Sequence, residues 1–241
     1  MPTMLPLDSI TFVPADGTYD ASMPHDAHRV LLPAVRGAPP LAWGAPAPVR
    51  ALVRGEVLYR AGETAEAAYT VAAGLVKLSL ALPSGRERIV GVAGPGDVIG
   101  ALTPVSDTYG ETAEALGAAV DVRALDPQRP EHAAALARAA DARLSWLRHA
   151  LEEAELPVAA RLARTLLRLG ERFGHRGDDG RVRLTLPLTH EHLAALIGAA
   201  RETTTLMLSD LRQRGLLEGT RGHYLFDPAR LRDAASGSLL N

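Results

Sequence analysis

Residues 188–217 of the chain read LTHEHLAALIGAARETTTLMLSDLRQRGLL, the pattern of two short helices separated by a tight turn. Its first part predicts a short helix capped by Thr189, with Leu193, Leu196 and Ile197 on one face. Gly198 supplies a turn. A second helix follows, and its inward face holds residues at spacing i, i+3, i+4 and i+7: Thr204, Met207, Leu208 and Leu211.

The opposite face of the second helix carries Arg201, Glu202, Thr205, Leu206 and Ser209. An arginine and a carboxylate at the start of an exposed helix suit the DNA major groove, where arginine reads guanine and a carboxylate accepts a hydrogen bond from cytosine. The pattern therefore predicts that DNA bases are read by the first four of these residues. An ordinary helical hairpin with a solvated charged face remains the alternative.

The sequence after this pair of helices favours the first interpretation. Gly215 ends the second helix, and LLEGTRGHYLFD (216–227) predicts a β-hairpin with Gly219, Arg221 and Gly222 at its tip. The segments IGAARETTT (197–205) and DLRQRGLL (210–217) resemble the DNA-reading signature of the catabolite activator/FNR family of bacterial transcription regulators. The resemblance implies a winged helix-turn-helix, a homodimer on double-stranded DNA, and RNA polymerase as a further partner.

By the same resemblance, a second group of side chains is expected to contact the DNA backbone: Thr189, His190, Thr203, Thr204 and Arg221. The chain departs from the family pattern at Leu206, where relatives usually carry an arginine that reads a central base. Because Leu206 lies on the outward face, it could instead meet a thymine methyl group.

Charge is distributed unevenly along the chain. Residues 1–156 carry 13 Arg and Lys against 19 Asp and Glu, whereas residues 157–241 carry 13 Arg against 9 Asp and Glu. The net charges are therefore −6 for the first segment and +4 for the second. The basic segment contains the predicted helix-turn-helix, as the binding of a phosphate backbone would require. Chance asymmetry is the alternative explanation.

The amino-terminal part divides into two segments. Residues 1–48 hold more than half of the 17 prolines, and we expect a flexible or loosely packed extension. Residues 49–130 show short alternating strands separated by glycine turns, which predicts a closed antiparallel β-roll. The runs YRAGE (59–63), YTVAAGLVKL (69–78) and PGDVIG (95–100) resemble the family's cyclic-nucleotide-binding roll. The fold class expected is thus α+β.

Residues 131–156 predict a long helix with an apolar heptad seam. The seam residues, spaced by four or three, are Leu136, Ala140, Leu144, Leu147, Leu151 and Ala154. One amphipathic helix on the roll would show a similar stripe, but the resemblance favours a dimer interface. Trp146 lies off the seam and is expected to pack against the roll. Pro157 then separates this helix from residues 157–241, the predicted winged helix-turn-helix domain, whose first helix should turn its arginines outward.

Several kinds of chemistry are excluded by composition. The chain has no cysteine, and residues 50–130 contain no histidine, so thiolate zinc sites, iron–sulfur clusters, and histidine-ligated metals or haem in the roll are ruled out. No catalytic set appears, and we expect neither an enzyme nor a cofactor. Neither a long apolar run nor a signal pattern is present, so the expectation is a cytoplasmic protein without a membrane partner.

The roll also departs from cyclic-nucleotide-binding relatives. Those carry Gly-Glu-Leu for the ribose and Arg-Ser about ten residues later for the phosphate; here Gly100 is followed by Ala101, and Glu111 stands at the arginine position. We therefore expect a regulator that is independent of cyclic AMP, the alternative being a roll that binds a different small effector. Arg86 and Arg88 are expected on a solvated edge.

Overall fold

The computed structural model describes residues 49–103, 107–126 and 129–238, so the predicted extension 1–48 lies outside the described residues. The amino-terminal part of the described chain, called the first body below, is built from two four-stranded antiparallel sheets. Their strand orders are β1-β8-β3-β6 and β2-β7-β4-β5. Its strands are β1 Val49–Val53, β2 Val57–Tyr59, β3 Ala68–Ala73, β4 Val76–Ala81, β5 Glu87–Ala93, β6 Val98–Gly100, β7 Thr112–Ala115 and β8 Ala119–Leu125. This confirms the predicted β-roll.

Strand β4 differs from the half-buried strand that its alternation predicts. Val76 and Leu78 face the core, but Lys77 and Ser79 on the other face are buried as well. The Lys77 ammonium lies 2.8 Å from a Glu87 oxygen and 3.0 Å from a Glu114 oxygen, which compensates its burial. The outer face of this sheet is covered because another part of the chain packs on it.

Two helices follow the roll. Helix α1 spans Ala133–Glu152 and α2 spans Val158–Phe173, with Pro157 between them in an extended conformation. Trp146 packs partly buried between the roll and the helical core, as predicted.

The predicted seam on α1 needs two corrections. Leu136 is buried against Ala68 and Leu125 of the roll in its own chain, so it is not available to a second copy. Ala154 lies in the turn after the helix has ended at Glu152. The exposed stripe therefore runs from the half-buried Ala140 through the exposed leucines of the next three seam positions.

The second body begins with α2 and carries a small sheet ordered β11-β12-β10-β9. Its elements are β9 His175–Arg176, β10 Val182–Thr185, α3 His190–Ile197, α4 Arg201–Gln213, β11 Glu218–Thr220, β12 His223–Phe226 and α5 Pro228–Asp233. The sides of α3 and α4 predicted to face inward are buried, apart from Met207, which is half-buried. The predicted winged helix-turn-helix is thus confirmed.

The two bodies share a core. Ile89, Val92 and Leu116 of the roll belong to the same apolar cluster as Leu162 and Leu166 of α2, and α3 contacts β5. This explains the double-sided burial of the β4–β5 hairpin.

Arg172 of α2 contradicts the prediction that the helix turns its arginines outward. It is buried and forms an ion pair with Asp97 in the turn before β6. Because burial disfavours the charged form, the pKa of Arg172 falls to about 10.

Candidate DNA-binding surface

The outward face of α4 is open to solvent. Arg201, Glu202, Thr205 and Ser209 are exposed, and Leu206 is 65% exposed. Gly198 turns the chain between α3 and α4 with φ at 65°, a left-handed conformation that glycine adopts without steric cost. The four side chains predicted to read bases therefore share one accessible face at the start of a well-supported helix.

Thr204 does not belong to this face. Its side chain is fully buried, and its hydroxyl donates a hydrogen bond to the Ala200 carbonyl oxygen at 2.9 Å. The expected contact of Thr204 with the DNA backbone is therefore wrong. The same residue had been assigned to the inward face by periodicity, and the periodicity holds. Its neighbour Thr203 is half-exposed.

The amino end of α3 is fixed by a reciprocal cap. The Thr189 hydroxyl oxygen accepts from the His192 backbone N–H at 3.1 Å, and the His192 ring accepts from the Thr189 backbone N–H at 3.4 Å. Because the Thr189 hydroxyl acts only as an acceptor here, its own proton remains available for a phosphate oxygen.

His190 connects α3 to α4. Its Nδ1 lies 3.0 Å from the Thr205 hydroxyl, while its Nε2 is buried without a hydrogen-bond partner. Burial and the nearby Arg212 and Arg201 lower the pKa of His190, so the ring is neutral near pH 7. Because Nδ1 is engaged by Thr205 and Nε2 is shielded from solvent, the ring helps to hold Thr205 in place, and the contact of His190 with the DNA backbone stays a prediction.

The wing is the hairpin formed by β11 and β12, and it turns through Arg221 and Gly222, both with positive φ. Arg221 is exposed at the tip. Gly219, predicted at the tip, instead lies in β11, where a Cβ would overlap the His223 carbonyl oxygen. Arg212 at the end of α4 donates to the Gly219 carbonyl oxygen at 2.7 Å and so holds the wing against α4.

A cluster of aromatic and charged side chains lies in the roll at the position where a nucleotide phosphate is expected. Tyr59 stacks on Tyr109 with ring centroids 3.9 Å apart, and its hydroxyl donates to Glu111 at 3.2 Å. Glu111 also pairs at 2.7 Å with Arg143 of α1, and both partners are largely buried. The carboxylate predicted at the nucleotide phosphate position is thus already neutralised by a cation from the long helix.

Two family models match the chain, the cyclic nucleotide-binding domain over residues 49–130 and the Crp-like helix-turn-helix domain over residues 160–234. Transcriptional regulator LdrP of Thermus thermophilus is 33% identical over 195 residues, which cover 79% of this chain and 98% of the relative. The chain belongs to the CRP/FNR family of DNA-binding transcription regulators.

Other members of the CRP/FNR family agree in sequence and in fold. A CRP-like cAMP-activated global transcriptional regulator of Mycobacterium tuberculosis is 32% identical over 171 residues, 67% of this chain and 76% of the relative. The crystal structure of a CRP-family regulator of Thermus thermophilus superposes with a TM-score of 0.63 at 32% identity, covering 79% of this chain and 98% of the other.

Three arginines with structural roles were not predicted from the sequence. Arg212 supports the wing, Arg143 neutralises Glu111, and Arg88 is half-buried where the roll meets α3 instead of lying on a solvated edge. Local spacing gives no signal for any of these roles, because the groups around each arginine come from separate elements of the fold.

In the described parts of the chain, no helix is both long and apolar enough to cross a membrane. The same ranges hold no group of three or more His, Asp or Glu side chains arranged for a metal ion.

Proposed function

We propose that this regulator binds an inverted-repeat DNA site as a homodimer, with Arg201, Glu202, Thr205 and Leu206 reading bases. The supporting observation is that two surfaces are free in one chain: the outward face of α4 and the apolar stripe of α1. Thr189, Thr203 and Arg221 lie exposed or half-exposed around α4, where contacts with the DNA backbone would hold the helix in register.

The apolar stripe of α1 supports the dimer. Leu144, Leu147 and Leu151 are 67%, 41% and 75% exposed and lie on one side of the helix. Three leucines exposed in a row on a helix are costly in water, and pairing α1 with its copy would bury them as a short coiled coil. A two-fold axis along this pair would present α4 of each copy, the proposed recognition helix, to one face of the duplex.

The experiment is selection from random duplexes, combined with sedimentation of the free protein. Two related recognition helices should select inverted repeats whose half-sites lie about 34 Å apart, one turn of the double helix. A monomer at micromolar concentration, or a selected site without two-fold symmetry, would contradict the proposal. RNA polymerase is the further partner expected for a member of this family, and co-purification on a promoter fragment tests it.

We further propose that DNA binding does not depend on cyclic AMP, although the Mycobacterium tuberculosis relative is named as activated by it. A cation does lie at the expected phosphate position, Arg143, but Glu111 already neutralises it. A nucleotide phosphate would have to break this pair, and leaving one buried charge without its partner costs about 3–5 kcal/mol. The stacked Tyr59 and Tyr109 rings fill neighbouring space.

Calorimetric titration with cyclic AMP and cyclic GMP tests this second proposal, beside a DNA-binding assay with and without each nucleotide. We expect no heat of binding at micromolar nucleotide and unchanged affinity for the selected site. Binding that appears only with nucleotide would overturn the proposal and would leave the homodimer on DNA intact. In that case Glu111→Arg should raise the affinity for the nucleotide further.

A further inference from the structure

A pocket lies where four elements from different parts of the fold meet: β5, the carboxy end of α1, α2 and α3. It is open to solvent on one side, and its volume of about 340 Å³ includes open solvent at the mouth. Its enclosed part has room for about one water-sized group. Its lining consists of Arg88, Trp146, His149, Ala150, Glu153, Arg161, Arg168, Leu196 and Ile197.

The charged groups of this junction pocket do not balance. Three guanidinium groups face a single carboxylate, Glu153, which pairs with Arg168. Arg168 also donates to the Thr165 hydroxyl at 3.0 Å. The Arg88 and Arg161 guanidinium groups have no ion pair or hydrogen bond with any described residue, and Arg161 Nε is buried without a partner.

An unbalanced positive charge of this kind is unfavourable away from water. The pKa of Arg88 is lowered, first by burial and then by the charge of Arg161, with Glu153 acting in the opposite direction. Buried charges in proteins are normally paired, and a buried guanidinium N–H without a partner loses a hydrogen bond that water would supply. The pocket is thus lined by two guanidinium groups without partners among the described residues, those of Arg88 and Arg161, and its enclosed part has space for one acceptor oxygen.

We propose that the junction pocket binds a phosphate group, with one phosphate oxygen in the enclosed part and the other oxygens in the open mouth. The ligand is either inorganic phosphate or a metabolite whose terminal phosphate enters the pocket and whose remainder extends into solvent. The planar guanidinium fork matches phosphate oxygens bidentately, and two forks supply the donors that a dianion requires. Trp146, Leu196 and Ile197 form an apolar wall beside the charged groups and limit the space to a compact head group. This site is separate from the interior of the roll.

The place of the pocket gives such a ligand contact with both bodies at once. Arg88 comes from the roll, and its guanidinium lies so close to Gly198 that a Cβ there would overlap it. Gly198 is the turn of the helix-turn-helix, whereas Arg161 and Arg168 belong to α2. A phosphate held between these groups would bridge the roll to the DNA-binding part.

Trp146 provides the measurement, because it lines the pocket and the chain has only one other tryptophan, Trp43. In a Trp43→Phe background, fluorescence is followed during titration with inorganic phosphate and with pyrophosphate, against sodium chloride at equal ionic strength. We expect a saturable change with both phosphates and none with chloride. Arg88→Gln and Arg161→Gln should each weaken binding about tenfold or more.

Two controls separate the site from general charge effects and from damage to the fold. Arg54→Gln removes the same charge from an exposed turn of the roll outside the pocket, and it should bind phosphate as the parent does. Glu153→Gln removes the only competing carboxylate and should strengthen binding, a gain that a damaged fold would not produce. A fluorescence signal that does not saturate, or that is equal in the Arg88→Gln, Arg161→Gln and Arg54→Gln proteins, overturns the proposal. The test needs no DNA, so its result is independent of the proposed function.

Discussion

Arg201 occupies the first position of the recognition helix, exposed and next to the equally exposed Glu202. From there a long guanidinium can reach two acceptors on one guanine, so the residue should contribute specificity as well as affinity. We predict that Arg201→Ala weakens binding to the selected site by about 1–3 kcal/mol and relaxes preference at one base pair. Fluorescence anisotropy on the selected site and on its single-base variants measures both effects.

The control for this prediction is Arg230→Ala, which removes the same charge from an exposed position on α5. It should leave the preference for bases unchanged. If Arg201→Ala weakens specific and random duplexes equally, Arg201 contacts the backbone and not a base.

Arg221 has φ at 52°, a conformation that costs most side chains about 1–2 kcal/mol. Asparagine tolerates the left-handed region better, so Arg221→Asn should raise the free energy of unfolding by up to about 1 kcal/mol. If the arginine contacts phosphate, the same change should weaken all duplexes alike and reduce the slope of affinity against salt by about one unit. Urea unfolding and anisotropy at several salt concentrations give the two numbers.

Arg221→Lys is the matched variant, because it keeps both the charge and the strained backbone. It should bind DNA nearly as the parent does and gain no stability. Undiminished affinity of Arg221→Asn for random duplexes would show that the wing does not touch the phosphate backbone.

Helical periodicity predicted which faces of α3 and α4 are buried. It succeeded because each helix buries one continuous stripe against its own neighbours along the chain, so Leu193 and Leu208 could be placed from spacing alone. The prediction that Thr204 contacts the DNA backbone was wrong, because it followed the contacts expected from the family resemblance and not the helical spacing. A residue on the buried stripe cannot also face the DNA.

The errors on the other elements have a different cause. Leu136, Arg172 and Lys77 are buried by surfaces that come from distant parts of the sequence. Local spacing alone predicts that a leucine at a heptad position lies in an interface. It also predicts that an arginine on a helix and a lysine on an alternating strand are exposed. The packing of the roll on α2 and α3 left no periodic signal in any one segment.

The apolar stripe of α1 makes a prediction for the helix as a unit. Leu151 is 75% exposed in the single chain, so Leu151→Glu removes little packing from the monomer but would place two carboxylates in a paired seam. We expect the variant to sediment as a monomer at concentrations where the parent is a dimer, and its affinity for the inverted repeat to fall accordingly.

Ala134→Glu is the control, since it adds the same charge at an exposed position of α1 that lies off the seam. It should remain dimeric. A Leu151→Glu protein that still sediments as a dimer would mean that the copies meet elsewhere.

Across the whole molecule, the roll and the DNA-binding part form one continuous packing unit. They share an apolar cluster, and the turn that contains Gly94 and Asp97 lies against the end of α2, where Phe173 would overlap any side chain at Gly94. Such an arrangement couples the two bodies in stability, so we expect them to unfold together.

The ion pair between Arg172 and Asp97 tests this coupling, because it joins the two bodies and is buried on the arginine side. With its pKa near 10, Arg172 is still charged at pH 7, and Asp97 is further held by the Gly94 backbone N–H at 2.6 Å.

Asp97→Asn would leave a buried cation without its partner, which costs about 3–5 kcal/mol. Arg172→Met in the same chain removes that cation and keeps much of the apolar stem. We therefore predict that urea unfolding of Asp97→Asn shows a large loss of stability, and that the double variant recovers part of it. A single variant as stable as the parent would mean that water reaches Arg172 and that the two bodies are not held by this pair.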